Sequence, residues 1–237
     1  LDVGIKSMQV DKDKMSSEGL VIPVSKVDEN TVKALTFVDC GKVLPSFELA
    51  IRGDDGSDLP DNQCGRICLR GPSVMTGYFQ NPAATEESLS SDGWLDTGDI
   101  GYRIGENIVV TARRKDVIIV NGRNIWPHDL EYLAETLPGV RFGNVSAFSF
   151  SDEKGSDQVV IVVESREKNP AKIRTLVSEL SALMTENFGI VCHLDLVPPR
   201  TLPRTSSGKL SRSKAKQDFL ARLELFNGGT QVAGGNG

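Results

Sequence analysis

The sequence has 237 residues, of which 39% are hydrophobic, 25% charged and 6% aromatic, values typical of a globular protein with one large or two modest domains. No apolar run approaches the roughly 18 residues that span a bilayer, so we expect no membrane span. Residues 1–14 lack the basic and apolar stretches of a secretory signal peptide. Because the first residue is not methionine, we expect the chain to begin inside a longer protein.

Four cysteines and two histidines are too few and too scattered to indicate a disulfide framework or a zinc site. Cys64 and Cys68 have a spacing that a pair of metal ligands could use. We interpret Cys68 instead as a small apolar residue of a predicted strand over residues 66–69. Free thiols fit a reducing compartment, so we expect a cytoplasmic protein whose chain binds no metal here.

The net charge of -5 is unevenly distributed along the chain. Residues 1–112 carry 10 basic and 18 acidic side chains, whereas residues 113–237 carry 17 basic and 14 acidic ones. The change coincides with the charged run at residues 113–116, where we predict a domain boundary.

Before this boundary, short β-rich stretches alternate with clusters of turn residues. The predicted strands cover residues 34–38, 47–51 and 66–69, and a short helix is predicted to start near Asn81 and Pro82. Strands at this spacing, with few long helices, indicate a small barrel-like or sandwich-like β subdomain.

After the boundary, the apolar pattern indicates alternating helices and strands. The predicted elements are a buried strand at 117–120, a helix at 129–137 behind Pro127, hairpin strands at 144–150 and 158–164, a helix at 170–187 ended by Gly189, a strand at 190–197 and a helix at 213–225. This order predicts a compact α+β domain. We expect the Gly-rich residues 226–237 to form a flexible tail.

Two segments near the boundary have compositions that suit ligand binding. Thr97-Gly98-Asp99 is predicted to lie on a loop, where the carboxylate of Asp99 could accept hydrogen bonds from two ribose hydroxyls, although such tripeptides are also common in surface turns. The charged run at 113–116 could be only a solvated boundary. At a domain junction, however, its arginines are also available to a ligand between the domains.

A third segment, residues 202–210, is predicted to be a loop with Lys209 at its tip. It is not a nucleotide-binding GxxxxGK[ST] loop, because Pro203 occupies the first glycine position and Leu210 follows the lysine. Residues 204–216 contain five basic residues and no acidic one. Because no aromatic residue is interleaved with them, we predict no nucleic-acid partner.

The order and spacing of these segments resemble the carboxy-terminal part of the adenylate-forming superfamily, which includes acyl-CoA synthetases, nonribosomal adenylation domains and luciferases. The resemblance runs from residue 34 to about residue 222. The matching segments are residues 65–79 with GEIxxxG…GYW, 94–99 with WxxTGD, 112–131 with GRxKDxIxxxGxxxxPxxIE, and 203–210 with PRTxSGKL.

Within the superfamily, residues 122–131 are most similar to the GRNxxPxDIE segment of fatty acyl-AMP ligases, and residues 1–33 resemble the extra segment of these ligases. The resemblance implies an ATP- and Mg²⁺-dependent ligase that activates a fatty acid as acyl-adenylate. It also implies transfer of the acyl group to the phosphopantetheine thiol of an acyl carrier protein. The implied α+β fold has a small β-barrel-like subdomain at 1–113, ending a larger domain, and a mobile carboxy-terminal α+β domain at 114–225.

The resemblance implies roles for five residues. Asp99 would hold the ribose hydroxyls, and Arg113 would contact the ribose from across the domain junction. Lys115 would be the hinge about which the second domain rotates. Gly122 would line the route of the pantetheine arm, and Lys209 would be the catalytic residue that reaches the carboxylate and the α-phosphate.

The sequence departs from the family pattern in three ways. Ala112 replaces a glycine, and Arg66 replaces a glutamate. The family's phosphate loop and its segment for adenine and magnesium contacts are absent from the sequence, so we expect the chain alone to be inactive. Two alternatives remain open: a fatty acyl-CoA synthetase, or a non-catalytic module of the same fold that binds a carrier protein.

Overall fold

The computed structural model describes residues 6–24, 34–152 and 155–229. The chain divides into two compact units, the first formed by residues 1–115 with 122–124 and the second by residues 116–121 with 125–237. The division between Lys115 and Asp116 therefore lies in the charged run.

An antiparallel sheet of six strands, in the order β1-β2-β6-β5-β4-β3, forms the first unit. Its elements are β1 (Ser7–Asp11), α1 (Lys12–Glu18), β2 (Ala34–Lys42), β3 (Glu48–Arg52), β4 (Gly65–Arg70), α2 (Pro82–Ser88), β5 (Leu95–Ile104) and β6 (Asn107–Arg113). Among the described strands β1 and β3 remain edges. The predicted barrel-like subdomain is therefore an open sheet.

Large apolar side chains hold the centre of this sheet together. Tyr102 of β5 and Val109 of β6 lie opposite each other and are completely buried. Phe37 of β2 packs edge-on against the Tyr102 ring, with 6.4 Å between the ring centroids. Burial raises the pKa of the Tyr102 phenol above its ordinary value. Removing this apolar surface from water stabilises the sheet by about 25 cal/mol per Å².

Residues 6–24, for which the sequence analysis predicted no elements, are integral to the first unit. Strand β1 pairs with β2, and Asp11 caps the start of α1 by accepting a hydrogen bond from the Lys14 N–H at 3.0 Å. Val10 and Met15 are fully buried, and Val21 is nearly so. The described part of the ligase-like extra segment therefore contributes both an edge strand and core side chains.

The sequence analysis also missed β5 and β6, which occupy the middle of the sheet. The prediction that Thr97-Gly98-Asp99 lies on a loop is wrong, since β5 begins at Leu95 and includes all three residues. Two glycines and two aspartates give β5 a weak intrinsic preference for a strand. Pairing with β4 on one side and β6 on the other overrides that preference.

The second unit contains a three-stranded sheet in the order β11-β10-β9. A short hairpin comes first in the chain, with strands β7 (Ile118–Val120) and β8 (Arg123–Ile125). The elements that follow it are α3 (Pro127–Glu135), β9 (Val145–Ser151), β10 (Asp157–Glu164), α4 (Pro170–Phe188), β11 (Cys192–Val197) and α5 (Arg212–Gly229). Strand β10 is antiparallel to β9 and parallel to β11. The crossover between the parallel strands contains α4.

Strand β10 is covered on both faces, which explains its continuous apolar sequence. Ile161 belongs to one core cluster, which includes Leu130 of α3 and Leu180 of α4. Val160 belongs to the other cluster, together with Phe219 of α5. Helices therefore pack on both sides of the sheet, and the predicted α+β class is confirmed.

Most elements predicted for the second unit are present, with small shifts at their ends. Gly189 ends α4 in a left-handed conformation, as predicted. The predicted buried strand at 117–120 begins instead at Ile118, and Ile119 is exposed. Helix α5 continues to Gly229, so residues 226–229 are helical rather than part of a tail, and residues 230–237 lie outside the described residues. No described helix is both long and apolar enough to cross a bilayer.

Candidate functional site

Asp99 lies at a β-bulge, where β5 has two more residues than β4 between the paired positions Arg66–Ile100 and Cys68–Asp96. Gly98 supplies the left-handed conformation, with φ of 74°. Asp99 pairs with Arg113 of β6, and Nε of Arg113 lies 3.2 Å from Oδ1 of Asp99. The structure therefore brings together two residues predicted to contact ribose.

The Asp99–Arg113 pair retains free hydrogen-bonding capacity. Among the described residues, no donor is hydrogen-bonded to Oδ2 of Asp99, and the Arg113 side chain is 72% exposed. A carboxylate oxygen with free lone pairs can accept from two neighbouring hydroxyls, and the guanidinium has further donors. One expectation is corrected: Arg113 ends β6 in the same unit as Asp99, not across the junction.

Asp96, to which the sequence analysis assigned no role, organises the strand before Asp99. Its Oδ1 accepts from the Gly98 N–H at 2.9 Å, and its Oδ2 accepts from Nη1 of Arg66 at 2.9 Å and of Arg114 at 3.3 Å. Arg66 also donates to the Gly53 carbonyl at 2.9 Å. This explains the arginine at position 66, because its guanidinium neutralises a largely buried carboxylate.

Lys115 lies between two anchored neighbours in a short 3₁₀ helix, Arg114–Asp116. Arg114 donates to Asp96 within the first unit, and Asp116 accepts from Nη1 of Arg212 at 3.4 Å within the second unit. The Lys115 side chain is exposed and forms no ion pair with any described residue. Each neighbour of Lys115 is therefore tied to its own unit.

Gly122 forms the turn of the β7–β8 hairpin together with Asn121. Both residues have positive φ, 52° for Asn121 and 74° for Gly122, as a type I′ turn requires. A Cβ atom on Gly122 would meet no heavy atom within 4 Å. The turn accounts for glycine at this position, and the role of Gly122 on the pantetheine route stays a prediction.

Residues 203–211, here called the Lys209 loop, form a small hydrogen-bonded hairpin. The Thr205 N–H donates to the Lys209 carbonyl and the Gly208 N–H to the Thr205 carbonyl, both at 2.8 Å. Arg204 and Leu210 form a bridge at its base. Lys209 follows the turn and is exposed, and its ammonium has no hydrogen bond or ion pair with the described residues. This charge is available to an anionic ligand.

Two of the five basic residues in residues 204–216 are occupied by contacts within the protein. Arg204 donates to the Gly143 carbonyl, to Asn144 Oδ1 at 3.2 Å and to the Gly208 carbonyl at 3.1 Å. Arg212 forms an ion pair with Glu131 at 2.6 Å. Arg204 and Arg212 therefore flank Lys209 as structural contacts, and the absence of a nucleic-acid partner stays a prediction.

The four cysteines are free thiols that differ in burial: Cys40 is exposed, and Cys64 and Cys192 are partly buried. Cys68 is buried on β4, as predicted. Burial raises the pKa of the Cys64 thiol, next to Thr111, and of the Cys192 thiol, each to about 11. Within the part of the chain that the structure describes, no group of three or more His, Cys, Asp or Glu side chains is arranged to hold a metal ion.

No family model matches the chain. It is 43% identical over 222 residues to a "putative acyl-CoA synthetase" of Caulobacter vibrioides, covering 93% of this chain and 38% of that protein. It is 29% identical over 255 residues to the long-chain-fatty-acid–AMP ligase FadD32 of Mycolicibacterium smegmatis, covering 91% of this chain and 40% of that protein. The chain therefore spans about two fifths of the length of these relatives.

The chain is also similar to solved structures of related enzymes. A structure from a study of fatty acyl-adenylate ligases of E. coli and L. pneumophila superposes with a TM-score of 0.81 and 36% identity, covering 94% of this chain and 39% of that one. The McyG A-PCP structure, complexed with phenylalanyl-adenylate, superposes with a TM-score of 0.70 and 32% identity, covering 79% and 34%.

The fold, the motif residues and these comparisons agree, and the chain belongs to the adenylate-forming superfamily. Within it, the relatives that cover more than nine tenths of the chain include acyl-CoA synthetase-like and fatty acyl-AMP ligase proteins, which confirms the predicted resemblance.

Proposed function

We propose that this chain is the carboxy-terminal part of an ATP-dependent fatty acyl-AMP ligase, which forms an acyl-adenylate and transfers the acyl group to the phosphopantetheine thiol of an acyl carrier protein. The observation that carries the proposal is the exposed ammonium of Lys209 on a hydrogen-bonded loop, where it pairs with no residue that the structure describes. The similarity to FadD32 and to fatty acyl-adenylate ligases supports a fatty acid substrate. The similarity to an A-PCP protein supports a carrier-protein partner.

In the first half-reaction, a carboxylate oxygen of the fatty acid attacks the α-phosphorus of ATP. The bond to the bridging oxygen breaks, and pyrophosphate leaves with the electron pair. Negative charge accumulates on the non-bridging oxygens of the α-phosphate, and the Lys209 ammonium offsets it. Asp99 and Arg113 hold the ribose, so that the reacting atoms remain aligned.

Mg²⁺ would neutralise the phosphates of bound ATP during this step. The Asp99–Arg113 pair fits a ribose diol, because it offers a free carboxylate oxygen and exposed guanidinium donors. No segment of these 237 residues matches the family's segments for phosphate, adenine and magnesium contacts, so we assign no residue of this chain to the metal.

In the second half-reaction, the carrier thiol attacks the acyl carbonyl, AMP leaves with the electron pair, and the thiol proton passes to solvent. The Lys209 loop must first move away to admit the thiol, and we place this rotation at Lys115. The anchoring of Arg114 and Asp116 to their own units supports that placement. Gly122 would line the route by which the pantetheine arm enters.

The role of Lys209 is tested in the complete enzyme. Lys209→Ala should lower the rate of acyl-adenylate formation at least 100-fold, because the transition-state charge is no longer offset. Thioester formation from supplied acyl-adenylate should survive. Lys214→Ala, which removes another exposed lysine nearby, is the control and should leave both rates unchanged. Equal loss of both half-reactions in Lys209→Ala would contradict the assignment.

The hinge is tested with Lys115→Pro, which restricts backbone rotation at this residue. Thioester formation should fall at least tenfold while acyl-adenylate formation is retained, and Lys115→Ala should leave both steps near their original rates. Rapid thioester formation by the proline variant would refute a hinge at Lys115.

The isolated 237-residue chain should release no pyrophosphate when mixed with fatty acid, ATP and Mg²⁺, because it lacks the family's phosphate loop. Pyrophosphate release above background in this mixture would show that the chain is catalytically sufficient.

A fatty acyl-CoA synthetase is the second candidate, favoured by the 43% identity to the Caulobacter protein. The two functions differ in the acceptor thiol. The complete enzyme is given acyl-adenylate with coenzyme A or with holo acyl carrier protein, and the acylated product is identified by mass spectrometry. Acylation of the carrier alone supports the ligase, whereas preferential acylation of coenzyme A supports the synthetase.

A further inference from the structure

Arg212, the first residue of α5, connects three segments of the second unit. Its Nε and Nη2 donate to the two carboxylate oxygens of Glu131 on α3, at 2.7 and 2.6 Å. Its Nη1 donates to Asp116, the residue after Lys115, at 3.4 Å. One guanidinium therefore joins the start of α5, the helix α3 and the segment that leaves the hinge.

This ion-pair network is largely buried. Glu131 is 9% exposed, and its Oε1 also accepts from the Ala147 N–H of β9 at 3.0 Å. The hydrogen bonds to Glu131 raise the pKa of Arg212 further above its ordinary range, so it remains charged. Because burying a charged pair costs about as much as the attraction returns, stability alone is a weak reason for such a network.

The network bears directly on Lys209, which is three residues before Arg212. The internal hydrogen bonds of the Lys209 loop determine its shape but not its placement on the unit. Its placement depends on contacts at its two ends. Before the turn, Arg204 donates to the Gly143 carbonyl, and the Leu202 N–H donates to Glu164 at 2.8 Å. After the turn, Leu210 packs against the core cluster of Phe219, and Arg212 pairs with Glu131. Of these, Arg212 also contacts the hinge side of the unit, through Asp116.

We propose that Arg212 is a positioning residue for adenylation. It keeps the Lys209 loop at a fixed position relative to Asp116 and the segment that follows the hinge. Rotation at Lys115 then carries the ammonium to the same point in every cycle. The inference rests on the proposed function, since Lys209 has this target only if an acyl-adenylate is formed. A misplacement of about 1 Å can cost about 100-fold in rate, so loosening this anchor affects chemistry more than binding.

The kinetic test compares Arg212→Gln and Arg212→Lys with Arg222→Gln in the complete enzyme. Arg222 is the matched control, because it also lies on α5 and pairs with a carboxylate, Asp195, at 2.6 Å. Arg212→Gln should lower kcat for acyl-adenylate formation 10- to 100-fold with little change in KM for ATP, and Arg212→Lys should restore part of the loss. Thioester formation from supplied acyl-adenylate should stay within twofold, as should both steps in Arg222→Gln.

An equal loss of both half-reactions in the Arg212 variants would show only reduced folding and would overturn the proposal. Unchanged kcat for acyl-adenylate formation would also overturn it. If the wild-type enzyme formed no acyl-adenylate, the proposed function would fail. Whether Arg212 anchors the Lys209 loop is then decided by a measurement that needs no enzyme activity.

That measurement is amide hydrogen exchange of the same proteins, followed by mass spectrometry. Arg212→Gln, or Arg212→Lys if the glutamine variant does not fold, should speed exchange at the hydrogen-bonded amides of Thr205, Gly208 and Ser211 at least tenfold. Exchange in β10 should not change. A Lys209 loop that exchanges as slowly as in the wild type would overturn the anchoring role of Arg212.

Discussion

At the scale of single residues, Asp96 shows how one carboxylate can hold several segments of the first unit together. It receives hydrogen bonds from Gly98, Arg66 and Arg114, and so it connects the bulge at Asp99 with the residue before Lys115. The family pattern has glutamate at position 66, and here the arginine supplies the positive charge that Asp96 needs.

Restoring the family residue should therefore be harmful. Arg66→Glu would place a second carboxylate beside Asp96 and remove the donors to the Gly53 carbonyl, so we expect a loss of about 2–3 kcal/mol in the free energy of unfolding. Urea denaturation measures this loss. Lys42→Gln removes an exposed ion pair with Glu106 in the same sheet and should change stability little. Equal midpoints for Arg66→Glu and the wild type would contradict the ion-pair account.

Two reasons could account for glycine at position 122: the positive φ of the turn, and the need for space on the pantetheine route. Substitutions of Gly122 separate them. Gly122→Ala should destabilise the chain by about 1 kcal/mol in urea, because a Cβ is unfavourable at positive φ. Gly122→Asn should cost less, because asparagine tolerates this conformation. If Gly122 also lines the pantetheine route, the asparagine variant of the complete enzyme should lose thioester formation while its stability is nearly preserved. Full thioester activity in that variant would leave the turn as the reason for glycine.

At the scale of elements, β1 and α1 stabilise the first unit. Strand β1 covers the edge of β2, and α1 inserts Met15 into the core. Gly19 ends α1 in a left-handed conformation, and its carbonyl accepts from the Cys64 N–H at 2.9 Å. The segment that resembles an insertion is thus joined to the loop before β4.

Met15→Ala tests this structural role. The side chain is fully buried, so its truncation should cost about 2–5 kcal/mol, measured as a shift of the urea midpoint. Met8→Ala, at a partly exposed position of the neighbouring strand β1, is the milder comparison. A midpoint for Met15→Ala equal to that of the wild type would mean that α1 contributes little to the core.

At the scale of the whole molecule, the anchors on either side of Lys115 belong to different units. Asp96 holds Arg114, and the Arg212–Glu131 pair holds Asp116. A rotation confined to Lys115 would leave both sets of contacts intact. The proposed rotation at Lys115 is therefore compatible with these ion pairs, because none of them includes Lys115.

The buried thiols predict how stability depends on pH. Burial raises the pKa of Cys64 and Cys192 to about 11, above an ordinary thiol value near 8.5. Between these values the unfolded chain has released thiol protons that the folded chain retains. The free energy of unfolding should therefore fall as pH rises from about 8.5 to 11, by at most about 1.4 kcal/mol per pH unit for each thiol.

Urea denaturation across this pH range measures the slope, with the double variant Cys64→Ala/Cys192→Ala as the comparison. The variant should show a shallower decline, although burial of Tyr102 contributes in the same direction. Identical slopes in the two proteins would show that these thiols ionise equally in the folded and unfolded chains.

The sequence predicted the second unit better than the first. Its helices have apolar residues at three- and four-residue spacings, such as Leu176, Leu180 and Met184, and β10 is a continuous apolar run, so local pattern and burial agree. Strand β5 lacks such a pattern, because Gly98, Asp96 and Asp99 interrupt it, and its neighbours in the sheet make it a strand. The sequence predicted Asp99 and Arg113 separately, and only the pairing of β5 with β6 showed that they are adjacent.

The amino-acid sequence by itself determined the family, through the order and spacing of its motifs, and predicted a loop that carries Lys209. Only the tertiary structure decided which charges meet: Asp96 with Arg66 and Arg114, and Arg212 with Glu131 and Asp116, across separations of 18 to 96 residues. The physical reason is that helix and strand patterns follow from neighbours along the chain. An ion pair between distant segments forms only after packing has removed both partners from water and placed them within reach.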